Sequence, residues 1–193
     1  NAGTRLLVPE SLHDEVVEIA KKAAESYVVG NPSDEATQLG PLANRAQFEK
    51  VLAILNYAET AGIKAVTGGS APVPGCSEGY FIQPTIFSNL SKDQLIAREE
   101  VFGPVLAIIP YKTQEEAVEI ANGTQYGLSA YIYTNDNASA NRMAQQMRCG
   151  MVHINGAPLV ADAPFGGYKQ SGNGREWGRD GLQEFLEVKA IMA

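Results

Sequence analysis

The sequence is poor in the residues that usually carry metal or thiol chemistry. Its 193 residues hold two histidines, His13 and His153, and two cysteines, Cys76 and Cys149. The histidines stand alone, and no metal-ligand spacing exists. Two cysteines give no disulfide framework, which fits a reducing compartment and a cytoplasmic protein. Cys149 opens a strand-like run and reads as core. Cys76 sits in a Pro/Gly loop with no histidine near it in sequence and reads as inert. Basic residues are also short: 15 Lys and Arg stand against 22 Asp and Glu, for a net charge of −7. Without a basic stripe, nucleic acid is not an expected partner. No apolar run approaches the roughly 18 residues of a membrane span, and no signal-peptide pattern is visible. No membrane partner is expected.

What remains is an ordinary globular composition, with 45% apolar and 19% charged residues. The length suits one domain, residues 1–193, with a sizeable core. The chain opens with Asn1 rather than Met and enters a strand almost at once, as expected of a piece cut from a longer protein.

Strand and helix signals alternate along the chain. Arg5 to Val8 reads as a strand, followed by a helix begun at Ser11 with Asp14 as its capping partner. The helix's apolar face is Val16, Ile19, Ala20, Ala23 and Tyr27. Asn44 caps a second helix, with Gln47 in its first turn and Phe48, Val51, Leu52, Leu55 and Ala58 buried; Gly62 ends it. Tyr80 to Phe87 is extended, and Pro84 within it argues for an edge or irregular strand. Val105 to Tyr111 is a nearly continuous apolar run, as expected of a strand buried on both faces. Leu128 to Thr134, a helix over Asn137 to Met147, Met151 to Asn155, a helix near Asp180 to Phe185 and a last strand, Val188 to Ala193, complete the order. The alternation predicts an α/β fold: a doubly wound, largely parallel sheet with helices on both faces.

Glycine is the residue in surplus, and it gathers in one place. Pro164 to Gly178 holds five glycines in fifteen residues. The segment comes after a strand, where α/β proteins keep their ligands. Two phosphate loops fail against it. Gly167 and Gly172 have Walker spacing, but Asn173 stands where lysine is required. Gly172 and Gly174 start a dinucleotide fingerprint, but Trp177 stands at its third glycine. A structural loop that lets a helix pack on a sheet is the simpler reading.

Four stretches, in order and spacing, resemble the aldehyde dehydrogenase superfamily. They are Asn1-Ala2-Gly3-Thr4-Arg5, Glu99-Glu100-Val101-Phe102-Gly103-Pro104-Val105, Asn122 through Tyr126-Gly127-Leu128-Ser129, and Pro164-Phe165-Gly166-Gly167-Tyr168-Lys169 with Ser171-Gly172. Gly79-Tyr80-Phe81 and Pro84-Thr85 fall between them. The resemblance covers the whole chain and is to the family's catalytic domain, which comes after a larger NAD(P)-binding domain expected upstream. It implies oxidation of an aldehyde to a carboxylic acid with NAD or NADP through a cysteine thioester. In the family pattern the cysteine immediately precedes the residue that matches Asn1. The general base and the asparagine oxyanion donor belong further upstream. No catalytic residue is therefore expected within these 193 residues, and the chain alone should be inactive.

The resemblance also implies cofactor contacts. Glu100 matches the glutamate that binds the nicotinamide ribose, for which a carboxylate accepting from a vicinal diol is well suited. Phe102 matches the aromatic beside the nicotinamide ring. Gln47 and Lys50 match positions that approach the cofactor ribose; read without the family they are a capping glutamine and a surface lysine. Phe165 matches an aromatic of the aldehyde pocket, and Asn1 should face the same pocket. Gly156 to Ala163 corresponds to the loop lining the substrate entrance, with Ala157, Leu159 and Val160 apolar and Asp162 its one charge. The loop has no arginine or lysine to clamp a carboxylated aldehyde, so an uncharged substrate is expected. Arg5 reads as structural. Lys169 and Arg175 could meet phosphate, but the failed fingerprints speak against it. The family usually forms dimers or tetramers, and the apolar C-terminal strand is compatible with that. Acylating, coenzyme A-dependent or reductive relatives on the same scaffold, and a non-catalytic binding or assembly domain, remain alternative readings.

Overall fold

The computed structural model describes residues 3–76 and 78–193. They form two compact units, one of Thr4–Thr113 and one of Gln114–Ala193 with Gly3. The α/β class holds in both, and parallel pairing predominates.

The unit of residues 4–113 is built on a four-stranded sheet. Its strands are β1 (Arg5–Pro9), β2 (Ala65–Thr67), β3 (Thr85–Phe87) and β4 (Val105–Tyr111), in the order β1-β4-β3-β2. β4 runs parallel to both β1 and β3, and β2 closes the edge antiparallel to β3. The apolar run of β4 suits it to an inner position, with Val105, Ala107, Ile108 and Ile109 all buried. Ile86 and Ile108 pack with Val8 and with Val17 of helix α1 (His13–Glu25). By strand alternation Thr85 and Phe87 face the other side of the sheet, and both are almost fully buried. The Thr85 hydroxyl is satisfied there: it donates to Gln83 O at 2.8 Å and accepts from Gly69 N–H at 2.9 Å.

Helix α2 (Arg45–Thr60) begins as its sequence predicts, with the Asn44 side chain accepting from Gln47 N–H at 2.9 Å. Val51, Leu55 and Ala58 of its expected stripe are buried, together with Ile54, while Phe48 and Leu52 are only half-buried. Burial also holds the Arg5 guanidinium below the usual arginine range.

Several expectations are corrected. Ser11 caps nothing: Glu10–Leu12 form a 3-10 turn and α1 starts at His13 without a side-chain cap. The buried face of α1 is Val16, Val17, Ala20 and Ala24. Ile19 and Tyr27 are exposed. Two stripes one residue apart compete on this helix, and the one centred on Val17 meets the sheet. β3 is shorter than the extended run and lies inside the sheet instead of at its edge, although its pairing with β2 is irregular, the register shifting between Ala65 and Thr67. Its ladder starts only after Pro84, which cannot donate to it.

The second unit holds a two-stranded parallel sheet of β5 (Ser129–Ile132) and β6 (Met151–Ile154). Helices α4 (Gln114–Asn122) and α5 (Asn137–Gln146) belong to it, and α5 forms the crossover that a parallel pair requires. Asp136 caps α5 by accepting from Ser139 N–H at 3.0 Å, and the buried Ser139 hydroxyl donates to Gln114 Oε1 at 2.8 Å. Asn122 ties the ends of the two helices together: Nδ2 donates to Gln146 O, and Oδ1 accepts from Arg148 N–H. Helix α6 (Gly178–Gln183) comes directly after the glycine loop.

The glycine loop is packed by backbone approach. A Cβ at Gly150 would run into the carbonyl of Gly166, so no side chain fits there. Gly127 O accepts from both Gly150 N–H and Tyr168 N–H. The expected last strand over 188–193 is not formed, and Val188, Ile191 and Met192 stand almost fully exposed. A strand exists only through a neighbour's ladder, and the described residues give this segment none. No helix among them is long and apolar enough to cross a membrane.

Candidate active site

The segment from Glu99 to Pro104 joins the short helix α3 (Leu95–Arg98) to β4. It presents alternate side chains in opposite directions: Val101 is buried, while Glu100 and Phe102 are exposed. Helix α2 holds this loop by its backbone. Gln47 Nε2 donates to Val101 O at 3.0 Å and to Phe102 O at 2.8 Å. One turn on, Lys50 Nζ donates to Glu100 O at 2.8 Å. At Gly103 the loop lies so close to α2 that a Cβ would come within 2.8 Å of Val51 Cγ2.

The four residues singled out for the cofactor are thus brought together in one unit. They divide into two kinds. Glu100 and Phe102 are offered to solvent, whereas Gln47 and Lys50 spend donors on the loop carbonyls. Phe102 has φ +60 and is 66% exposed. A non-glycine residue in the left-handed region is strained, which calls for a surrounding that over-determines it. The Gln47 fork supplies that surrounding. A large exposed apolar ring can pack on a flat ligand, and the carboxylate two residues before it can accept from a diol. An exposed ring and an acceptor carboxylate are chemically suited to a nicotinamide nucleoside.

The residues singled out for the substrate lie in the other unit, apart from Asn1, which is outside the described residues. Gly156, Ala157, Leu159 and Val160 lie in an exposed segment after β6 that opens with a turn at Asn155 and Gly156. Backbone bonds tie the turn to the chain beyond it, with Ala163 N–H donating to Val160 O and Gly178 N–H to Ala161 O. Phe165 is half-buried and pairs with Glu176 through two 2.7 Å backbone bonds. Its ring packs on Trp177, with centroids 5.2 Å apart. Phe165 therefore stands at the neck of a closed loop. Within that loop the cations are internal braces. Lys169 Nζ donates to Asn122 O and Thr124 O at the end of α4, where the helix leaves carbonyls unpaired. Arg175 donates to the carbonyls of Gly167, Asn173 and Gly174. That agrees with the failed phosphate fingerprints.

Sequence reasoning gave His153 and Trp177 no role in the site. His153 is buried, and its Nδ1 meets Ala157 O at 2.8 Å. Its partner lies beyond a turn in which Asn155 and Gly156 both take positive φ, a geometry with no signature at His153 itself. Cys149 is half-buried and donates to Met151 O at 3.2 Å. Burial pushes its thiol above the ordinary thiol range, against the pull of the Lys169 charge. Iodoacetamide should therefore alkylate Cys149 more slowly at neutral pH than it does a free cysteine, the rate rising only at higher pH. Fast labelling at neutral pH would contradict that burial.

The decisive observation is the extent of one match. A family model for the aldehyde dehydrogenase family matches residues 1–191. The chain belongs to the aldehyde dehydrogenase family. Among curated aldehyde dehydrogenases and related enzymes, it is 50% identical over 192 residues to a 3-succinoylsemialdehyde-pyridine dehydrogenase from a Pseudomonas species. That alignment covers 100% of this chain and 40% of the relative. Among solved structures it superposes with a TM-score of 0.94 on aldehyde dehydrogenase C from Pseudomonas syringae, a cysteine-to-alanine variant in complex with NAD+ and octanal. Identity there is 48%, covering 99% of this chain and 39% of the other. A Mycobacterium tuberculosis aldehyde dehydrogenase in complex with NAD+ gives a TM-score of 0.88 at 42% identity, covering 94% and 38%. The chain thus spans about two fifths of the length of the aldehyde dehydrogenases it matches.

Proposed function

We propose that this chain serves as the catalytic domain of an NAD(P)-dependent aldehyde dehydrogenase whose NAD(P)-binding domain precedes it. The observation that carries the reading is the loop clamped by Gln47 and Lys50, which presents Glu100 and Phe102 side by side. Glu100 would accept hydrogen bonds from the ribose hydroxyls of the nicotinamide nucleoside, and Phe102 would pack beside its ring. Gln47 and Lys50 hold both in place through the loop backbone. NAD(P), when bound, supplies the hydride acceptor. NAD+ in the related crystal structures supports that assignment.

The thioester route needs a cysteine ahead of Asn1 and a water-activating base further upstream. Phe165 and the turn of Gly156, Ala157, Leu159 and Val160 would line the aldehyde's path, with Asn1 beside the nucleophile. The turn offers no cation to a carboxylated substrate, so an uncharged aldehyde fits it; the octanal held by one relative is of that class.

The test is turnover by the full-length enzyme with octanal and NAD or NADP. NADH or NADPH formation with release of octanoic acid is the expected result. Product formed only with coenzyme A would move the protein to the acylating branch, and no reduction of either nucleotide would refute the reading. The exposed apolar tail, Phe185, Leu186, Val188, Ile191 and Met192, is assigned to contact with a second copy. Sedimentation of the full-length enzyme as a dimer or tetramer would support that, and a monomer would refute it.

A further inference from the structure

His153 is more polar than its place in the fold requires. It is 7% exposed in β6, and its ring stacks on Tyr131 of β5, with centroids 4.8 Å apart and planes 14° from parallel. Nδ1 lies 2.8 Å from Ala157 O, and a carbonyl only accepts, so Nδ1 carries the proton. Nε2 is buried with no partner among the described residues. A buried acceptor without a donor is costly. A phenylalanine would fill the same stacked position without that cost. What phenylalanine cannot supply is the one hydrogen bond that the His153 ring makes, to Ala157 after β6.

We propose that His153 is a positioning residue for the aldehyde path, holding the turn of residues 155–160 through Ala157 while Tyr131 fixes its ring. The turn needs such a hold. Asn155 and Gly156 both take positive φ, and the residues from Asn155 to Pro164 are all exposed. Few contacts other than backbone bonds restrain a segment of that kind. Asn155 secures its first residue, with Oδ1 accepting from Thr134 N–H and Nδ2 donating to Thr134 O. His153 secures the point two residues on, at Ala157, ahead of Leu159 and Val160. The stack also reaches the peptide that leads into β1, because a Cβ at Gly3 would touch Tyr131 Cδ2 at 4.0 Å. Tyr131 thus lies near Gly3 as well as against His153. The inference rests on the aldehyde-oxidising reading given above.

Two variants of the full-length enzyme separate the ring from its bond. His153→Phe keeps a ring for Tyr131 and removes the donor. His153→Asn keeps a donor near the Nδ1 position and removes the stack. The readouts are kcat and KM for octanal, and amide hydrogen exchange of a peptide spanning 155–163. His153→Phe should raise KM about five- to tenfold, the loss of one hydrogen bond to a positioned turn, with a smaller change in kcat. Exchange in 155–163 should quicken in parallel. His153→Asn should restore both towards the parent values. Parent-like KM and exchange in His153→Phe would overturn the proposal. So would His153→Asn as impaired as His153→Phe, because ring packing alone would then matter. If His153→Phe does not fold, His153→Asn decides: retained exchange protection supports the proposal and lost protection overturns it. If the parent enzyme oxidises no aldehyde, the proposed function fails while the exchange comparison still judges the hold on the turn.

Discussion

Full-length enzyme carrying Glu100→Ala should bind NAD about a hundredfold more weakly than the parent, the loss expected for two charge-assisted hydrogen bonds to a ribose diol. The substitution is a clean one. The loop is held through the carbonyl of Glu100 by Lys50, and through those of Val101 and Phe102 by Gln47. Removing the carboxylate leaves all three bonds in place, so the effect reads the side chain and not a collapsed loop. Calorimetric titration of NAD into parent and variant checks it. An affinity within about threefold of the parent, under 1 kcal/mol, would remove Glu100 from the cofactor site.

Phe87→Ala should cost the unit of residues 4–113 about 3–5 kcal/mol. Phe87 is 1% exposed, in the middle of the four-stranded sheet. Its register partners are Ala65 on β2 and Ala107 on β4. Neither alanine can extend into the space that the ring would leave, so the cavity stays open and the cost lies near the upper end for such substitutions. Hydrogen exchange of a peptide spanning β4 in the native enzyme checks this. Its slowest amides should exchange at least about a hundredfold faster where they open with the unit. A change under about fivefold, close to 1 kcal/mol, would show that the sheet repacks around the gap.

What the sequence disclosed depended on how local the cause was. The run Val105 to Tyr111 was legible to the residue, because a strand buried on both faces needs no outside information to be continuous and apolar. The start of α2 was legible because Asn44 caps it within three residues. The face of α1 was not, because only contact with Ile86 and Ile108 selects Val17 over Ile19. The 188–193 strand was misread for the same reason: apolar residues make a strand only where a partner lies alongside. At the site, motif resemblance singled out Glu100 and Phe102. The clamp by Gln47 and Lys50 could not be read, because its acceptors are backbone carbonyls more than fifty positions along the chain for Gln47 and fifty for Lys50. Such acceptors have no residue type to betray them. His153 was hidden likewise, by a partner reached only through a turn of positive φ.

The thiol route stands or falls on a peptide map of the full-length enzyme around Asn1. Trypsin cleaves after Arg5, so the peptide ending there carries the residues ahead of Asn1. It would be labelled with iodoacetamide, with and without aldehyde. A cysteine directly before Asn1, alkylated quickly and protected when aldehyde is bound, is the expected result. Another residue at that position, or a cysteine there that aldehyde fails to protect, would contradict a thiol dehydrogenase.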